Sequence, residues 1–173
     1  DSERNQGRAP DMGWLDHDRL GFNYRLSDIA SAIGLVQLGR LDMMLAGRAR
    51  VAGLYGEALR SLVEERGLTT LCPDGSGAGG KRSWFVYVLQ LAEDGAPRDE
   101  VIRALKQRGI PSKPYLPAIH LMSYYRDRFG LREGMFPVAE SVAARSIALP
   151  FFPEMSEGQV AEVADALTAV LGG

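Results

Sequence analysis

Apolar residues recur at helical spacing in the first half of the chain, in two stretches of different phase. In the first stretch, Ile29, Ile33 and Val36 fall on one helix face. The second stretch is the clearer amphipathic stripe and consists of Val51, Leu54, Tyr55, Ala58, Leu59, Leu62 and Val63. Gly39 and Gly47 each weaken a continuous helix by about 1 kcal/mol, which favours a break near one of them. Two consecutive helices and one long helix remain equally good interpretations.

The second half of the chain contains shorter apolar runs that are typical of strands. SWFVYVLQL, at residues 83–91, is continuously apolar and aromatic and predicts a buried strand. Residues 112–116 and 145–150 are two further strand candidates. A glycine-rich connector, CPDGSGAGGKR at residues 72–82, precedes the first of these strands and predicts a flexible linker.

Two helices are predicted around these strands. RDEVIRALKQR, at residues 98–108, follows Pro97 and stops at Gly109, which are the residue types that begin and end helices. The last helix follows Ser156, which forms a capping-box pair with Gln159. Helices therefore precede, separate and follow a few short strands. This order predicts an α+β fold, in which helices pack on a small, mostly antiparallel sheet.

The same elements divide the chain into four predicted segments. Residues 1–26 form an extended arm that ends in a loop, and residues 27–65 form a helical segment. Residues 66–82 form the glycine-rich linker, and residues 83–173 form a small α+β domain.

Composition narrows the class of protein. The 173 residues are 46% hydrophobic and 24% charged, as in an ordinary soluble globular chain. A net charge of −2 gives no reason to expect nucleic acid or an anionic membrane as a partner. The single cysteine, Cys72, cannot form an internal disulfide, and no apolar run approaches the roughly 18 residues of a membrane helix. We therefore expect a cytoplasmic protein. Because the first methionine is Met12, we also expect a processed chain or a piece of a longer one.

Two motifs in polar parts of the chain are better explained as surface or linker segments than as ligand-binding sites. Residues 75–81 resemble a phosphate-binding loop, but such loops need a strand before and a helix after, whereas here a strand follows. Asp16, His17 and Asp18 are adjacent in an irregular arm, where neighbouring residues rarely converge on one ion. No metal site is predicted.

Asn23 and Arg25 lie just before the helix that Ser27 can cap. The start of a helix carries unpaired N–H groups and a partial positive charge, so an amide and a guanidinium beside it could complete an anion site. Alternatively, Arg25 pairs with Asp28 and Asn23 makes a turn. The residues alone leave both interpretations of Asn23 and Arg25 open.

His120 is the only histidine besides His17. On general grounds, such a histidine is a hydrogen-bonded structural group more often than a catalyst.

A family resemblance favours the first interpretation. The run GFNYRLSDIASAIGLVQLGRLD, at residues 21–42, closely resembles the DegT/DnrJ/EryC1/StrS family of pyridoxal-phosphate-dependent sugar aminotransferases, where G-[FY]-N-Y-R leads into a helix rich in A-I-G-L-x-Q-L. The likeness includes RNQGR near the start and continues through WFVYVLQL, GIPSKPYLPAIHL, YYRDRFG, FPVAE and ALPFFPEMSEGQV. The likeness spans essentially the whole chain, and the chain resembles the C-terminal portion of such an enzyme. The implied fold is the small C-terminal domain of fold-type I aminotransferases.

The resemblance implies that the cofactor is pyridoxal phosphate and that a different domain binds it covalently. In the family, a large N-terminal domain carries the lysine that binds pyridoxal phosphate covalently. Lys81, Lys106 and Lys113 are the three lysines here, and none occupies that context. The chain alone is therefore expected to be inactive and to carry no catalytic residue, with the cofactor bound mainly by the missing domain.

The resemblance also implies binding residues. In family homodimers the N-Y-R loop resembles a clasp over the partner's active site, so Asn23 and Arg25 are expected to contact the cofactor phosphate. Tyr115 and His120 match a Y-x-P-x-x-H pattern that lines the sugar-nucleotide side, and Lys113 precedes it. The implied reaction transfers an amino group, usually from glutamate, to a nucleotide-linked keto-sugar for surface glycan, lipopolysaccharide or antibiotic sugar synthesis. Many relatives have H-Y-P-P where this chain has K-P-Y-L-P, so the sugar stays open.

A second hypothesis comes from a different class of protein. The chain would be a non-catalytic dimerisation or interaction module, whose interface is the stripe at residues 51–63 together with Phe151 and Phe152. A nucleotide-binding protein built on residues 75–81 is the weakest alternative. In the aminotransferase interpretation, the apolar helix after Ser27 is left exposed without the large domain, which predicts association or poor solubility.

Overall fold

Seven α-helices and four short strands lie within the residues that this computed structural model describes, which are 22, 24–70 and 82–172. The helices are α1 (Asp28–Gly39), α2 (Leu41–Ala58), α3 (Arg60–Arg66), α4 (Arg98–Gln107), α5 (Ser123–Phe129), α6 (Pro137–Arg145) and α7 (Glu157–Leu171). The strands are β1 (Thr69–Thr70), β2 (Tyr87–Gln90), β3 (Lys113–Pro114) and β4 (Ser146–Leu149). A 3₁₀ turn at Ile119–Leu121 precedes α5. The chain divides into two units, residues 1–39 and 40–173.

The described part of the first unit consists of α1 and the residues just before it. Ser27 caps the helix as predicted, since its Oγ accepts a hydrogen bond from the Ala30 N–H at 3.3 Å. None of the α1 residues in this unit is buried. The predicted face of Ile29, Ile33 and Val36 is instead 60–76% exposed. The sequence thus locates the helix correctly, while its apolar residues are not buried by the part of their own unit that the structure describes.

The second unit is built on one antiparallel sheet with the strand order β1-β2-β4-β3. Leu89 of β2 lies opposite Ile147 of β4, and Tyr87 lies opposite Leu149. Because alternate residues of a strand point to the same face, these four buried side chains form one apolar face. The predicted α+β class with a small antiparallel sheet is confirmed, and the predicted strands are present as β2, β3 and β4. Strand β1 was not predicted.

The core lies where helices cover this sheet. Helices α2 and α4 both pack on α7. Their fully buried residues are Val51, Tyr55, Val101, Leu105, Val160 and Leu167. Most of the amphipathic stripe at residues 51–63 is therefore core, and the hypothesis that it forms an intermolecular interface is wrong. Burial inside its own unit removes the apolar surface of the stripe from water, which stabilises the fold.

Tyr55 connects α2 to the segment that follows β4. Its hydroxyl donates to the Pro150 carbonyl oxygen at 2.7 Å, and its ring stacks on Tyr87 with centroids 4.7 Å apart. Burial raises the pKa of Tyr55 well above its ordinary value, so the hydroxyl stays protonated and serves as a donor. A polar group inside the core is thereby satisfied.

The helix ends follow local chemistry. Helix α1 ends at Gly39 and α2 begins at Leu41, so the structure has separate helices, and of the two candidate positions for a break it uses Gly39 and not Gly47. The capping box of α7 is also confirmed, because the Gln159 N–H donates to Ser156 Oγ at 3.2 Å and the Ser156 N–H donates to Gln159 Oε1 at 2.9 Å. Of the helices in the described ranges, no single one is long and apolar enough to cross a bilayer; only α1 and α2 counted together reach that length and hydropathy.

Gly47 permits a close approach inside the second unit. A Cβ at this position would lie 2.9 Å from both the Cβ and the carbonyl oxygen of Pro153. One turn further along α2, Arg50 Nη2 donates to the carbonyl oxygens of Pro153 and Met155 at 3.3 and 2.7 Å. These contacts attach α2 to the loop before α7, and the missing side chain makes room for them.

We expect Gly47→Ala to lower the free energy of unfolding by about 1–3 kcal/mol, the usual cost of inserting a methyl group into a packed contact. Gly53→Ala is the matched control in the same helix, because a Cβ there meets nothing within 4 Å. The control should raise stability by up to about 1 kcal/mol through helix propensity alone. Urea denaturation followed by circular dichroism measures both changes, and changes of the same sign would contradict the close-approach explanation.

Candidate functional site

Several predicted features lie outside the described residues. These are Asn23, Cys72, the cluster at residues 16–18 and the glycine-rich motif at residues 75–81. The remaining candidates fall in two places, one in each unit. Arg25 precedes α1 in the first unit, whereas Lys113, Tyr115 and His120 belong to the second.

The start of α1 has donors that an anion could use. Ser27 takes up two N–H groups, those of Ala30 through its Oγ and of Ser31 through its carbonyl. The first-turn amides before them have no intrahelical partner, as at any helix start. Arg25 is exposed, and within the described loop and helix it makes no ion pair with Asp28. A guanidinium and amide donors are the groups that fit a phosphate, so this loop is chemically suited to hold part of one.

The second unit brings Tyr115 and His120 together but separates Lys113 from them. Strand β3 is the sheet edge and pairs Lys113 with Ala148 and Pro114 with Ile147. Immediately after it, the Tyr115 N–H donates to the Ser146 carbonyl at 3.2 Å, which continues the ladder by one bond. Tyr115 is half-buried and His120 is buried, whereas Lys113 is exposed and does not line the groove described next.

An open groove of about 1010 Å³ runs along this part of the second unit. It is lined by Tyr115, Leu116, Pro117, Ala118, Ile119, His120, Tyr125, Leu131, Met135, Phe136, Pro137, Val138, Ala139, Val142 and Ala143. The lining is almost entirely apolar, and its polar side chains are two tyrosines and one histidine. A few polar groups in an apolar cleft are typical of small-molecule sites, where the polar groups orient the ligand.

Glu140 is the centre of a hydrogen-bond cluster beside this groove. Its carboxylate accepts from the Gly134 N–H at 2.9 and 3.0 Å, from the Phe136 N–H at 3.2 Å, and contacts His120 Nε2 at 2.8 Å. Gly134 has φ = 85°, a left-handed conformation that favours glycine, and it donates its N–H to Glu140. The Gly134 N–H above all, and then His120 and the Phe136 N–H, hold the pKa of Glu140 below its usual value, against the opposing effect of burial.

Sequence reasoning missed Glu140 and the helix that carries it. FPVAE, at residues 136–140, entered only as part of the resemblance, and α6 was not predicted. A signal was present, because Pro137 is the first residue of α6 and Glu140 lies in its first turn. The segment YYRDRFG, which also entered through the resemblance, lies mostly in helix α5.

The lowered pKa of Glu140 predicts how stability depends on pH. Because the folded protein holds this carboxyl ionised more strongly than the unfolded chain does, its contribution is fully present above the unfolded pKa, near 4.5, and is lost as pH falls through the folded pKa. The unfolding free energies of the unaltered chain and of Glu140→Gln should therefore converge as pH is lowered from about 6 to about 3. Denaturation across that range measures the difference. Glu133→Gln, in the same loop, is the control, and a difference for Glu140→Gln that is independent of pH would contradict the prediction.

The two lysines that the structure describes are poorly placed for covalent chemistry. Lys106 is exposed in the last turn of α4, and Lys113 is exposed on β3. Neither lines the groove. A lysine activated by burial would instead lie in an apolar pocket.

Comparison with known sequences identifies relatives over nearly the whole chain. The DegT/DnrJ/EryC1/StrS aminotransferase family matches residues 2–168. The spore coat polysaccharide biosynthesis protein SpsC of Bacillus subtilis (strain 168) is 34% identical over 156 residues, covering 88% of this chain and 39% of SpsC.

Comparison with solved structures agrees. The aminotransferase TlmJ from Streptoalloteichus hindustanus is 29% identical with a TM-score of 0.74, over 92% of this chain and 40% of TlmJ. A DegT DnrJ EryC1 StrS aminotransferase from Brucella abortus is 26% identical with a TM-score of 0.74, over 99% of this chain and 42% of its own. The predicted family resemblance is confirmed, and the chain spans about two fifths of the length of these relatives.

Proposed function

The chain belongs to the DegT/DnrJ/EryC1/StrS aminotransferase family, and we propose that it is the C-terminal part of a pyridoxal-phosphate-dependent enzyme that aminates a nucleotide-linked keto-sugar. The observation that carries this proposal is the family match over residues 2–168. The proposal that the chain is a part rests on its covering 39–42% of relatives whose own chains are longer.

The cofactor phosphate is proposed to bind at the start of α1. Arg25 and the first-turn amides supply charged and neutral donors there. Asn23, which lies outside the described residues, adds an amide by analogy with the family. When bound, pyridoxal phosphate supplies the chemistry of taking up and releasing an amino group. The exposure of Lys106 and Lys113 supports the proposal that covalent attachment belongs to the missing part and that this chain alone is inactive.

The sugar is proposed to bind along the groove. SpsC is named for polysaccharide biosynthesis, which supports a sugar as the substrate class. Tyr115 and His120 offer the polar groups that can meet sugar hydroxyls in an otherwise apolar lining. Lys113, which is exposed two residues before Tyr115, is proposed to contact the charged part of the nucleotide.

The proposal has three further parts. Glutamate is the amino donor, the intact protein is a homodimer whose N-Y-R loop closes the partner's site, and its location is cytoplasmic.

An absorbance titration with pyridoxal phosphate tests it. The purified chain is compared with the longer protein that also contains the sequence encoded upstream of Asp1. Only the longer protein should develop the absorbance band of covalently bound cofactor and lose it on addition of glutamate. If neither protein develops the band, the aminotransferase proposal fails, and the exposed apolar helix α1 then favours a non-catalytic interaction module.

We expect Asn23→Ala in the longer protein to weaken retention of pyridoxal phosphate by about tenfold, the effect of losing one hydrogen bond to a charged group. Equilibrium dialysis against the cofactor measures the dissociation constant. Gln37→Ala is the matched control, because it removes an exposed amide from the opposite end of α1. An unchanged dissociation constant in Asn23→Ala would mean that Asn23 does not bind the cofactor.

A further inference from the structure

One carboxylate connects the two walls of the groove. Glu140 contacts His120, which belongs to the 3₁₀ turn on one wall, and accepts N–H bonds from Gly134 and Phe136, which belong to the loop of the other wall. The Phe136 ring also packs edge-on against the His120 ring, with centroids 4.9 Å apart and planes at 64°. Through these contacts Glu140 sets the position of both walls at once.

The proton on His120 follows from its partner. A carboxylate that already accepts two backbone N–H groups is ionised and can only accept. The ring nitrogen that faces it at 2.8 Å, Nε2, must therefore carry the hydrogen. In the neutral imidazole the other nitrogen, Nδ1, then has a lone pair and accepts hydrogen bonds.

We propose that Glu140 is the positioning residue of the groove, which holds the His120 ring through Nε2–H so that Nδ1 accepts a hydrogen bond from a substrate hydroxyl. This inference deepens the proposed function and rests on it for the sugar. Because the rest of the lining is mostly apolar, a single oriented acceptor strongly influences the orientation of a sugar ring in the groove. Glu140 itself does not line the groove, so it acts through His120 and the loop.

Nuclear magnetic resonance of the ¹⁵N-histidine-labelled chain tests the positioning. The chain contains only two histidines, so His17 is the internal reference. In the unaltered chain at neutral pH, the His120 Nε2–H proton should be visible and protected from exchange. Glu140→Gln should speed its exchange by about tenfold, because a charge-assisted hydrogen bond becomes a neutral one. Glu133→Gln, which removes a charge from the same loop, should leave it unchanged.

An exchange rate that is equal in Glu140→Gln and the unaltered chain, or a proton found on Nδ1, would overturn the proposal. A second readout uses the longer protein with a UDP-linked keto-deoxyglucose as the probe. Glu140→Gln should raise KM for this sugar by about tenfold while changing kcat by less than about threefold, since ground-state binding is affected first. A KM within about twofold of the unaltered value would also overturn the proposal. If the unaltered longer protein does not develop the absorbance band of covalently bound pyridoxal phosphate, the proposed function fails instead, and the histidine measurement decides the role of Glu140 separately.

Discussion

Replacing Leu89 with alanine is expected to lower the free energy of unfolding by about 2–5 kcal/mol, the usual cost of deleting a buried leucine side chain. Leu89 is completely buried in β2, where it lies opposite Thr70 of β1 and Ile147 of β4. Its loss would leave a cavity between the sheet and the helices that cover it. Since small domains are stable by only about 5–15 kcal/mol, this one change removes much of the total.

Val88→Ala is the control, because Val88 is the next residue of the same strand, points to the opposite face and is only half-buried. Its substitution should cost about 1 kcal/mol or less, in proportion to the smaller apolar area removed from contact. Guanidinium denaturation followed by circular dichroism compares the two. Equal losses would mean that the two faces of β2 are buried to the same degree, contrary to the structure.

The unaltered chain is expected to associate in a concentration-dependent way, and polar substitutions on α1 should abolish this. Leu35 and Leu38 are 71% and 66% exposed, and the predicted face of α1 is exposed as well. After Asp28 the helix has no charged residue. A helix that is apolar all round is normally buried against other structure, and an exposed patch of this kind promotes association.

Ile33→Glu combined with Val36→Lys should convert the chain to a monomer in sedimentation velocity. The helix itself should survive, because both new residues are better helix formers and form a favourable i, i+3 pair. Val138→Glu, at a 77% exposed position in the second unit, is the control and should leave the association unchanged. An unaltered chain that stays monomeric at every concentration, or a double variant that still associates, would contradict this account of α1.

Elements with a strong local signal were predicted well. The cap of α1 at Ser27 and the capping box of Ser156 and Gln159 depend on residues within a few positions of one another, so neighbouring sequence is sufficient to identify them. Strand β1 was missed because two residues, Thr69 and Thr70, are too few to show a period. They are a strand only because β2 lies beside them.

The candidate site divides in the same way. Tyr115 and His120 were recognised through the motif and do line one groove, but Lys113, although only two residues from Tyr115, does not. Residues two apart on a strand share a face, so alternation does not account for this difference, and a motif match does not reveal which residues line the groove. Glu140 was missed because its partner His120 lies 20 residues away in sequence. The roles of all these residues in binding, and those of Asn23 and Arg25, stay predictions.

The amino-acid sequence was sufficient for the family, through motifs spread along the chain, and for the α+β class, the start of α1, helix α4 and the start of α7, because periodicity and caps act over a few neighbouring residues. The folded chain was needed to decide which apolar stripe is core and which is exposed. The stripe at residues 51–63 is mostly buried inside its unit, whereas α1, equally apolar, is not. Burial depends on which surfaces meet in space, and so does the contact of one carboxylate with both walls of a groove.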